Sequence, residues 1–116
     1  MTNAQLQKAL KRWQTILGLD SWHITASFVK PWKLDDDCTA RSEIDPFHQK
    51  ARFEIVEPAL QNKDAVEYEK PLHLLIHELL HVRLFPDGVK EGTAENLALE
   101  VGINALAKML MEYEGE

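Results

Sequence analysis

The segment His77-Glu78-Leu79-Leu80-His81 combines two histidines and a glutamate in the pattern H-E-x-x-H. Residues four apart on an α-helix lie about 40° apart around its axis and one turn along it, so both imidazoles can reach one metal ion. A zinc ion held by two neutral imidazoles takes a third protein ligand and keeps a fourth position for water. The carboxylate of Glu78 can accept the proton of that water. The spacing therefore predicts a zinc site with a general base.

The residues around this motif predict that its helix is buried. The segment PLHLLIHELLHVRLF is apolar in nearly every direction around a helix axis, which is typical of a helix enclosed by protein. Each buried polar group without a partner costs on the order of 1 to 3 kcal/mol, so the two histidines and the glutamate need compensation. A metal ion would supply it. A hydrogen-bonded network in the core, or a helix face open to a cleft, would also do so.

Three glutamates follow within reach and could supply the third ligand. Glu91 precedes the next predicted helix, and Glu95 lies in its first turn, where the helix dipole alone favours an acidic residue. Glu100 falls inside the apolar arc of that helix, and Asn104 lies one turn later, where it can orient a histidine ligand. We therefore predict Glu100 as the third ligand. The predicted core-facing arc contains Leu99, Val101, Ile103, Leu106, Ala107, Leu110 and Met111.

Periodicity along the chain predicts an α+β fold in a single domain. Thr2 and Gln5 form a helix-capping pattern, Gly18 favours a helix end, and residues 45–49 resemble the turn of a hairpin. Apolar residues recur at helical spacing in three segments and alternate in three others. The predicted elements, in order, are a helix over residues 4–17, strands over 22–29, 38–44 and 51–56, and helices over 71–85 and 94–112.

The connections complete this prediction. Residues 58–70 are polar and predict a loop or a short helical excursion, and residues 86–88 predict a turn. Thr93 is a plausible cap for the last helix, and residues 112–116 look like a frayed acidic tail. Because a short turn joins the last two helices, they should lie antiparallel, with His81 and Glu100 at similar depth. The stripe of Leu99, Leu106 and Leu110 is expected to face the core, a dimer face being the alternative.

Composition narrows the class of protein. The 116 residues suffice for about one domain, and thirteen basic against nineteen acidic residues give a net charge of -6, which argues against a nucleic-acid partner. No apolar run approaches the roughly 18 residues of a membrane span. Cys38 is the only cysteine, and the first residues lack the apolar core of a secretory signal, so we expect a cytoplasmic protein with no intrachain disulfide.

The H-E-x-x-H motif, followed after eighteen residues by Glu100, resembles the arrangement of gluzincin zinc metallopeptidases. The short chain and the segment LGLDSWHI over residues 17–24 are similar to the minigluzincins and to short metallopeptidase-like proteins of phages and prophages. The resemblance implies a zincin-like fold and zinc ligation by His77, His81 and Glu100. It also implies Glu78 as general base and acid in peptide hydrolysis, with a peptide or protein as substrate.

The same resemblance implies that the strand over residues 51–56 is a sheet edge on which an extended peptide could pair. Larger gluzincins supply a Tyr or His that stabilises the oxyanion, but the sequence does not select one among Tyr68, Tyr113, His73 and His48. Three histidines on successive turns of a straight helix do not readily surround a tetrahedral ion. We therefore expect His73 to support the ligands or to lie at the surface.

Two other functions remain open on the sequence alone. The zinc site could be structural or permanently occluded in a non-catalytic, phage-type interaction module, with a fourth ligand from the acidic tail at residues 112–116. A nuclease, or a protease recruited to DNA, is the third hypothesis, and the acidic charge balance opposes it.

Overall fold

The computed structural model describes residues 1–34, 39–57, 70–84 and 93–115. Three helices and a three-stranded sheet follow in the predicted order, which confirms the α+β class, and the boundaries lie within two residues of those predicted. A short 3-10 helix was not predicted. The predicted turn at 86–88 and all but the last residue of the loop or helical excursion predicted at 58–70 lie outside the described residues. The elements are α1 (Asn3–Ile16), β1 (His23–Val29), the 3-10 helix (Pro31–Lys33), β2 (Ala40–Asp45), β3 (Lys50–Val56), α2 (Pro71–Leu84) and α3 (Ala94–Tyr113).

Both ends of α1 have the signals found in the sequence. The Gln5 amide donates to Thr2 Oγ1 at 3.2 Å, and the Thr2 amide donates to Gln5 Oε1 at 2.8 Å, so the capping box is complete. Gly18 follows the helix with a φ of 71°, a left-handed conformation that a residue with a Cβ adopts only at a cost. The capping box and the left-handed glycine are both local in sequence, and together they mark where α1 begins and ends.

The sheet has the strand order β1-β3-β2, with β1 parallel and β2 antiparallel to β3. The prediction that residues 51–56 form a sheet edge is therefore wrong, because β3 is the central strand. Its composition explains the position: Ala51, Phe53, Ile55 and Val56 are all buried, whereas no residue of β2 is fully buried. The most apolar strand takes the centre, and a more polar strand is tolerated at the edge.

The two edges of the sheet differ. In β1, the outward-facing carbonyl of Ala26 accepts a hydrogen bond from Gln7 Nε2 at 2.6 Å, and the Phe28 amide donates to Asn3 Oδ1 at 3.4 Å. Side chains of α1 therefore satisfy groups that a further strand would need. Along β2 the antiparallel register directs the N–H and C=O groups of Ser42 and Ile44 away from β3. Among the described residues, these outward groups of Ser42 and Ile44 have no hydrogen-bond partner.

The two faces of the sheet also differ. One face packs against α1 and α2, and the opposite face carries polar side chains in cross-strand pairs. Arg41 Nη2 lies 2.6 Å from Glu54 Oε1, and Arg52 Nη2 lies 2.7 Å from Glu43 Oε1. The guanidinium of Arg41 holds the pKa of Glu54 below its ordinary value, against a smaller opposing effect of desolvation. This pairing of opposite charges suits a sheet face in contact with water.

Helix α3 covers the core with one narrow face. Ile103 and Ala107 are buried, and Leu99, Leu106 and Leu110 pack against the same core, which confirms their predicted orientation. Val101, which was predicted to face the core, is 63% exposed. It lies at the limit of the predicted arc, and α3 approaches the rest of the protein along a narrower face than its apolar residues would allow.

Part of the predicted acidic tail belongs to the last helix. Helix α3 continues through Glu112 to Tyr113. Glu114 Oε2 then lies 3.1 Å from Arg12 Nη2 on α1. An exposed pair of this kind contributes at most about 1 kcal/mol, but it places the end of α3 beside α1.

Trp13 is the largest fully buried side chain, and its Nε1 has no hydrogen-bond partner within the described residues. We expect Trp13→Ala to lower the free energy of unfolding by about 3 to 5 kcal/mol, because it opens a large cavity. Trp13→Phe should cost much less, about 1 kcal/mol, because it keeps most of the ring and removes an unpaired N–H group. Urea unfolding measures both values, and equal losses would contradict this account of the indole.

Candidate metal centre

Helix α2 carries the two histidines and the glutamate of the motif into the centre of the protein. Nine of its fourteen residues are buried. Leu75, Ile76 and Leu79 have no exposed surface. Because apolar side chains surround the helix, it packs against β3, α1 and α3 at once, which explains why its polar residues lose water. His77 is 9% exposed and Glu78 is 8% exposed, as the sequence predicted for a buried helix.

The structure brings Glu100 of α3 to the two histidines. Its two carboxylate oxygens contact different rings: Oε2 lies 2.9 Å from His77 Nε2, and Oε1 lies 2.9 Å from His81 Nε2. The two Nε2 atoms are 3.1 Å apart. The antiparallel arrangement of α2 and α3 therefore closes a His-His-Glu group, although the turn that joins the helices lies outside the described residues. Glu95 is exposed in the first turn of α3, and Glu91 is not described.

The dimensions of this group suit a metal ion. Ligand atoms about 2.1 Å from a tetrahedral ion lie about 3.4 Å from one another. The three contacts among His77, His81 and Glu100 measure 2.9 to 3.1 Å, a few tenths of an ångström shorter. Their side chains are 11%, 17% and 38% exposed, so the group opens towards solvent on the side of α3. Two imidazoles and a carboxylate are donors that zinc favours, and other divalent transition metals also accept them.

Glu78 is held beside this group in a nearly dry environment. Burial raises the pKa of Glu78 above its ordinary value, and a hydrogen bond from the Ser42 hydroxyl acts in the opposite direction. The charges of His77 and His81 lower the pKa of Glu78, and the charge of Glu100 raises it. A carboxylate with few competing waters and an elevated pKa is suited to accepting and returning a proton.

Sequence reasoning did not find Ser42. It lies on β2, and its side chain turns inward towards α2, where it meets Glu78. The alternation of residues 38–44 predicts a strand but does not indicate which residue of another element lies opposite. That contact depends on the antiparallel register of β2 against β3 and on how α2 crosses the sheet.

Asn104 lies behind the first histidine, as expected from its place one turn after Glu100. Its Oδ1 is 2.7 Å from His77 Nδ1. A side-chain carbonyl at this distance accepts the Nδ1–H proton and leaves Nε2 unprotonated, which is the tautomer a metal requires. His73 is also buried. Its Nε2 lies 3.5 Å from the main-chain carbonyl oxygen of Asn104, and the centre of its ring lies 6.5 Å from that of His77. It therefore supports the site from behind and does not lie at the surface.

Asn104→Ala tests this contact. Removing the acceptor frees His77 to rotate and to adopt the other tautomer, so we expect the affinity for zinc to fall about 10- to 100-fold. Asn104→Asp keeps an oxygen at the same place and should retain affinity close to that of the wild type. Competition titration against a chromogenic chelator measures both variants. Equal affinity of Asn104→Ala and the wild type would refute a role for this residue in orienting the histidine.

The structure does not place an oxyanion-stabilising residue at the site. Tyr113 is 86% exposed and lies thirteen residues beyond Glu100 on α3, about 20 Å along the helix. His48 is in the β2–β3 turn, where its Nδ1 contacts Asp45 Oδ2 at 2.7 Å. His73 is behind His77, and Tyr68 lies outside the described residues. The role is therefore not assigned to any of the described candidates.

Among the residues that the structure describes, no helix has both the length and the apolar character needed to cross a membrane. Comparison of the chain with family models, with curated proteins and with solved structures finds no match.

Proposed function

We propose that this protein is a zinc-dependent metallopeptidase. The observation that carries the proposal is the convergence of His77, His81 and Glu100, whose ligand atoms all lie within 4.8 Å of one another, beside the buried carboxylate of Glu78. Three protein ligands and one adjacent carboxylate form the donor set that catalytic zinc sites use for hydrolysis. The resemblance to gluzincins described above agrees with this arrangement.

Each residue has a distinct task in this proposal. His77, His81 and Glu100 hold the ion, and Asn104 fixes the ring of His77. A bound zinc ion would polarise the scissile carbonyl and lower the pKa of a water molecule to about 7. Glu78 takes a proton from the attacking water and then delivers it to the leaving amine. Its buried position favours this transfer, because few other waters compete for the proton.

The edge of β2 is the natural place for the substrate backbone. Ser42 and Ile44 direct their N–H and C=O groups outward there, and the side chain of Ser42 contacts Glu78. A peptide that pairs with this edge would lie extended and close to the general base. Backbone pairing of this kind recognises main chain more than side chains, so we propose broad selectivity for unfolded or flexible segments.

A non-catalytic module with an occluded metal receives no support from the described residues. Such a site would need a fourth protein ligand, and the acidic tail was the predicted source. Glu112 and Glu114 lie at the far end of α3, about 20 Å along the helix from Glu100, and Glu114 pairs with Arg12. Three ligand groups are found in the parts of the chain that the structure describes, which is the number that catalytic zinc sites use.

Metal analysis combined with a peptidase assay tests the proposed function. We expect one zinc per chain in protein purified without chelators, and cleavage of a quenched fluorescent peptide library by the zinc-loaded protein. Removal of the metal with 1,10-phenanthroline should abolish cleavage, and added zinc should restore it. A zinc-edge anomalous map would identify the ligands.

Two outcomes would contradict the proposal. Protein that takes up no stoichiometric zinc would remove the metal site. Protein that binds zinc through four side chains and cleaves no peptide would favour the occluded module.

A further inference from the structure

Strand β2 carries two acidic side chains on the sheet face that is open to water. Glu43 and Asp45 alternate along the strand with Ser42 and Ile44, so they lie on the opposite face from the residues that point towards α2. The side chains of Glu43 and Asp45 are 59% and 50% exposed. The end of β2 next to the β2–β3 turn is therefore acidic on its open face.

The carboxylates of Glu43 and Asp45 face cations on the β3 side. Arg52 Nη2 lies 2.7 Å from Glu43 Oε1, and Lys50 is the register partner of Asp45. A hydrogen bond from the ring of His48 holds the pKa of Asp45 below its ordinary value, so this carboxylate is charged at neutral pH. Within the described residues, no lysine or arginine contacts either carboxylate from the free edge of β2.

A strand added at the edge of β2 would place its side chains in a defined register. The Val56 amide donates to the Thr39 carbonyl at 2.9 Å, so odd-numbered residues of β2 bond to β3 and even-numbered ones direct their main-chain groups to the free edge. An added antiparallel strand would bond to Ser42 and Ile44. The residue opposite Glu43 would then form a non-hydrogen-bonded pair, in which the two side chains lie close together on the same face.

Antiparallel pairing fixes the order of residues along the bound chain. It is slightly more stable per residue than parallel pairing, and it is the commoner arrangement. The residue opposite Asp45 comes first, the residue opposite Glu43 comes two positions later, and the residue opposite Ser42 follows directly. The next residue lies opposite Arg41, a cation whose Nη2 is 2.6 Å from Glu54 Oε1. The open face therefore changes from acidic to basic along the bound chain.

We propose that Glu43 and Asp45 select substrates with lysine or arginine at two alternate positions on the N-terminal side of the residue that faces Ser42. The proposal rests on the proposed function, because it takes the edge of β2 as the place where the substrate binds. A cation opposite Glu43 lies one strand away from that carboxylate, and Arg52 lies about 4.8 Å further, so attraction exceeds repulsion. A cation opposite Arg41 meets a like charge instead.

The expected preference is modest, because these side chains are exposed. A cross-strand pair of opposite charges changes affinity by a factor of about 1.4 to 5, and two such pairs should together give about 3- to 10-fold. Salt at about 1 M, where the screening length is about 3 Å, should reduce the preference to less than about twofold. Selection of this size is added to the broad recognition that backbone pairing gives.

Two capped heptapeptides of identical composition separate the order of charges from their number. They are Lys-Ala-Lys-Val-Thr-Ala-Thr and its reverse, Thr-Ala-Thr-Val-Lys-Ala-Lys. When the central valine faces Ser42, the first peptide places its lysines opposite Glu43 and Asp45. The second places them opposite Arg41 and Thr39. The net charge of -6 on the chain attracts both peptides equally, so a difference in affinity reports the local arrangement.

NMR titration of the full Glu78→Gln chain with each peptide measures binding without cleavage. We expect the amide signals of Ser42 and Ile44 to shift, and the first peptide to bind about 3- to 10-fold more tightly than its reverse. The same titration in about 1 M salt should bring the two dissociation constants within about twofold.

The variant Glu43→Gln with Asp45→Asn removes both charges and keeps the size of both side chains, so the ratio of affinities should fall below about twofold. Asp20→Asn with Glu112→Gln is the matched control. It removes two exposed carboxylates, one between α1 and β1 and one near the end of α3, and should retain the full preference. The spectra show whether each variant is folded, and the salt titration tests the same charges on the unaltered acidic residues.

The proposal is overturned if neither peptide binds, if both bind equally, or if the shifted signals lie away from β2. Tighter binding of the reversed peptide, or a preference that survives removal of both charges, also overturns it. The proposed function fails separately. Zinc-loaded wild type that cleaves neither peptide, while the Glu78→Gln chain still prefers the first, refutes the peptidase alone. Cleavage of both peptides with equal kcat/KM and equal affinity refutes the selection alone.

Discussion

Glu78→Gln is expected to lower the rate of peptide hydrolysis by about 10²- to 10⁴-fold while zinc remains bound. Glutamine keeps the size of the side chain and its contact with Ser42, but its amide cannot accept a proton from water at neutral pH. His77, His81 and Glu100 are unchanged, so the metal stoichiometry should stay at one. Initial rates on a quenched fluorescent peptide, with metal analysis on the same sample, measure both effects.

Glu95→Gln is the matched control for this variant. Glu95 is an exposed glutamate in the first turn of α3, away from the histidines, so the same loss of a carboxylate there should leave the rate nearly unchanged. A Glu78→Gln protein with the activity of the wild type would show that the general base is elsewhere. Loss of zinc together with activity would show instead that Glu78 helps to hold the ion.

Glu100→Ala is expected to weaken zinc binding by more than about 100-fold, because it removes one of the three proposed ligands. This effect should exceed the loss of about 10- to 100-fold expected when a residue that only orients a ligand is removed. The weaker binding should also reduce the stabilisation of the folded protein by zinc. At a free zinc concentration about 100 times the wild-type dissociation constant, zinc should stabilise the wild type by about 2.7 kcal/mol and the variant by less than about 0.5 kcal/mol. Zinc should therefore raise the melting temperature of the wild type by about 10 °C and that of the variant by only about 2 °C.

Differential scanning calorimetry with and without zinc provides the measurement, and Glu95→Ala is the control on the same helix. The control should retain the full stabilisation by zinc. A Glu100→Ala protein with an undiminished zinc-dependent shift would exclude Glu100 as a ligand. A shift lost equally in both variants would indicate that α3 as a whole, and not the Glu100 carboxylate, determines binding.

Local patterns predicted the elements of this fold well. Capping by Thr2 and Gln5, the left-handed Gly18 and the alternation along the three strands depend on neighbours a few residues away, and the structure contains each of them. The strand order could not be predicted in the same way. Whether β3 is central depends on which strands pair with its two edges, and that pairing involves residues far apart in the chain.

The candidate site shows the same limit. The helical position of Glu100 predicted that it faces the core, and the structure places it 2.9 Å from both histidines. Asn104 follows from the same geometry because it lies one turn away. Ser42 could not be found, since its contact with Glu78 needs the register between strands and the crossing of α2 over the sheet. Contacts along one helix follow from periodicity, whereas contacts between layers require the fold.

The unequal edges of the sheet limit how this protein can associate through its backbone. Asn3 and Gln7 bond to the outward Phe28 amide and Ala26 carbonyl of β1, which hinders strand addition at that edge. An extended chain bound at β2, as proposed above, would then not be continued by a further molecule at the opposite edge. Backbone pairing would end after one event, and the sheet would not act as a template for fibril growth.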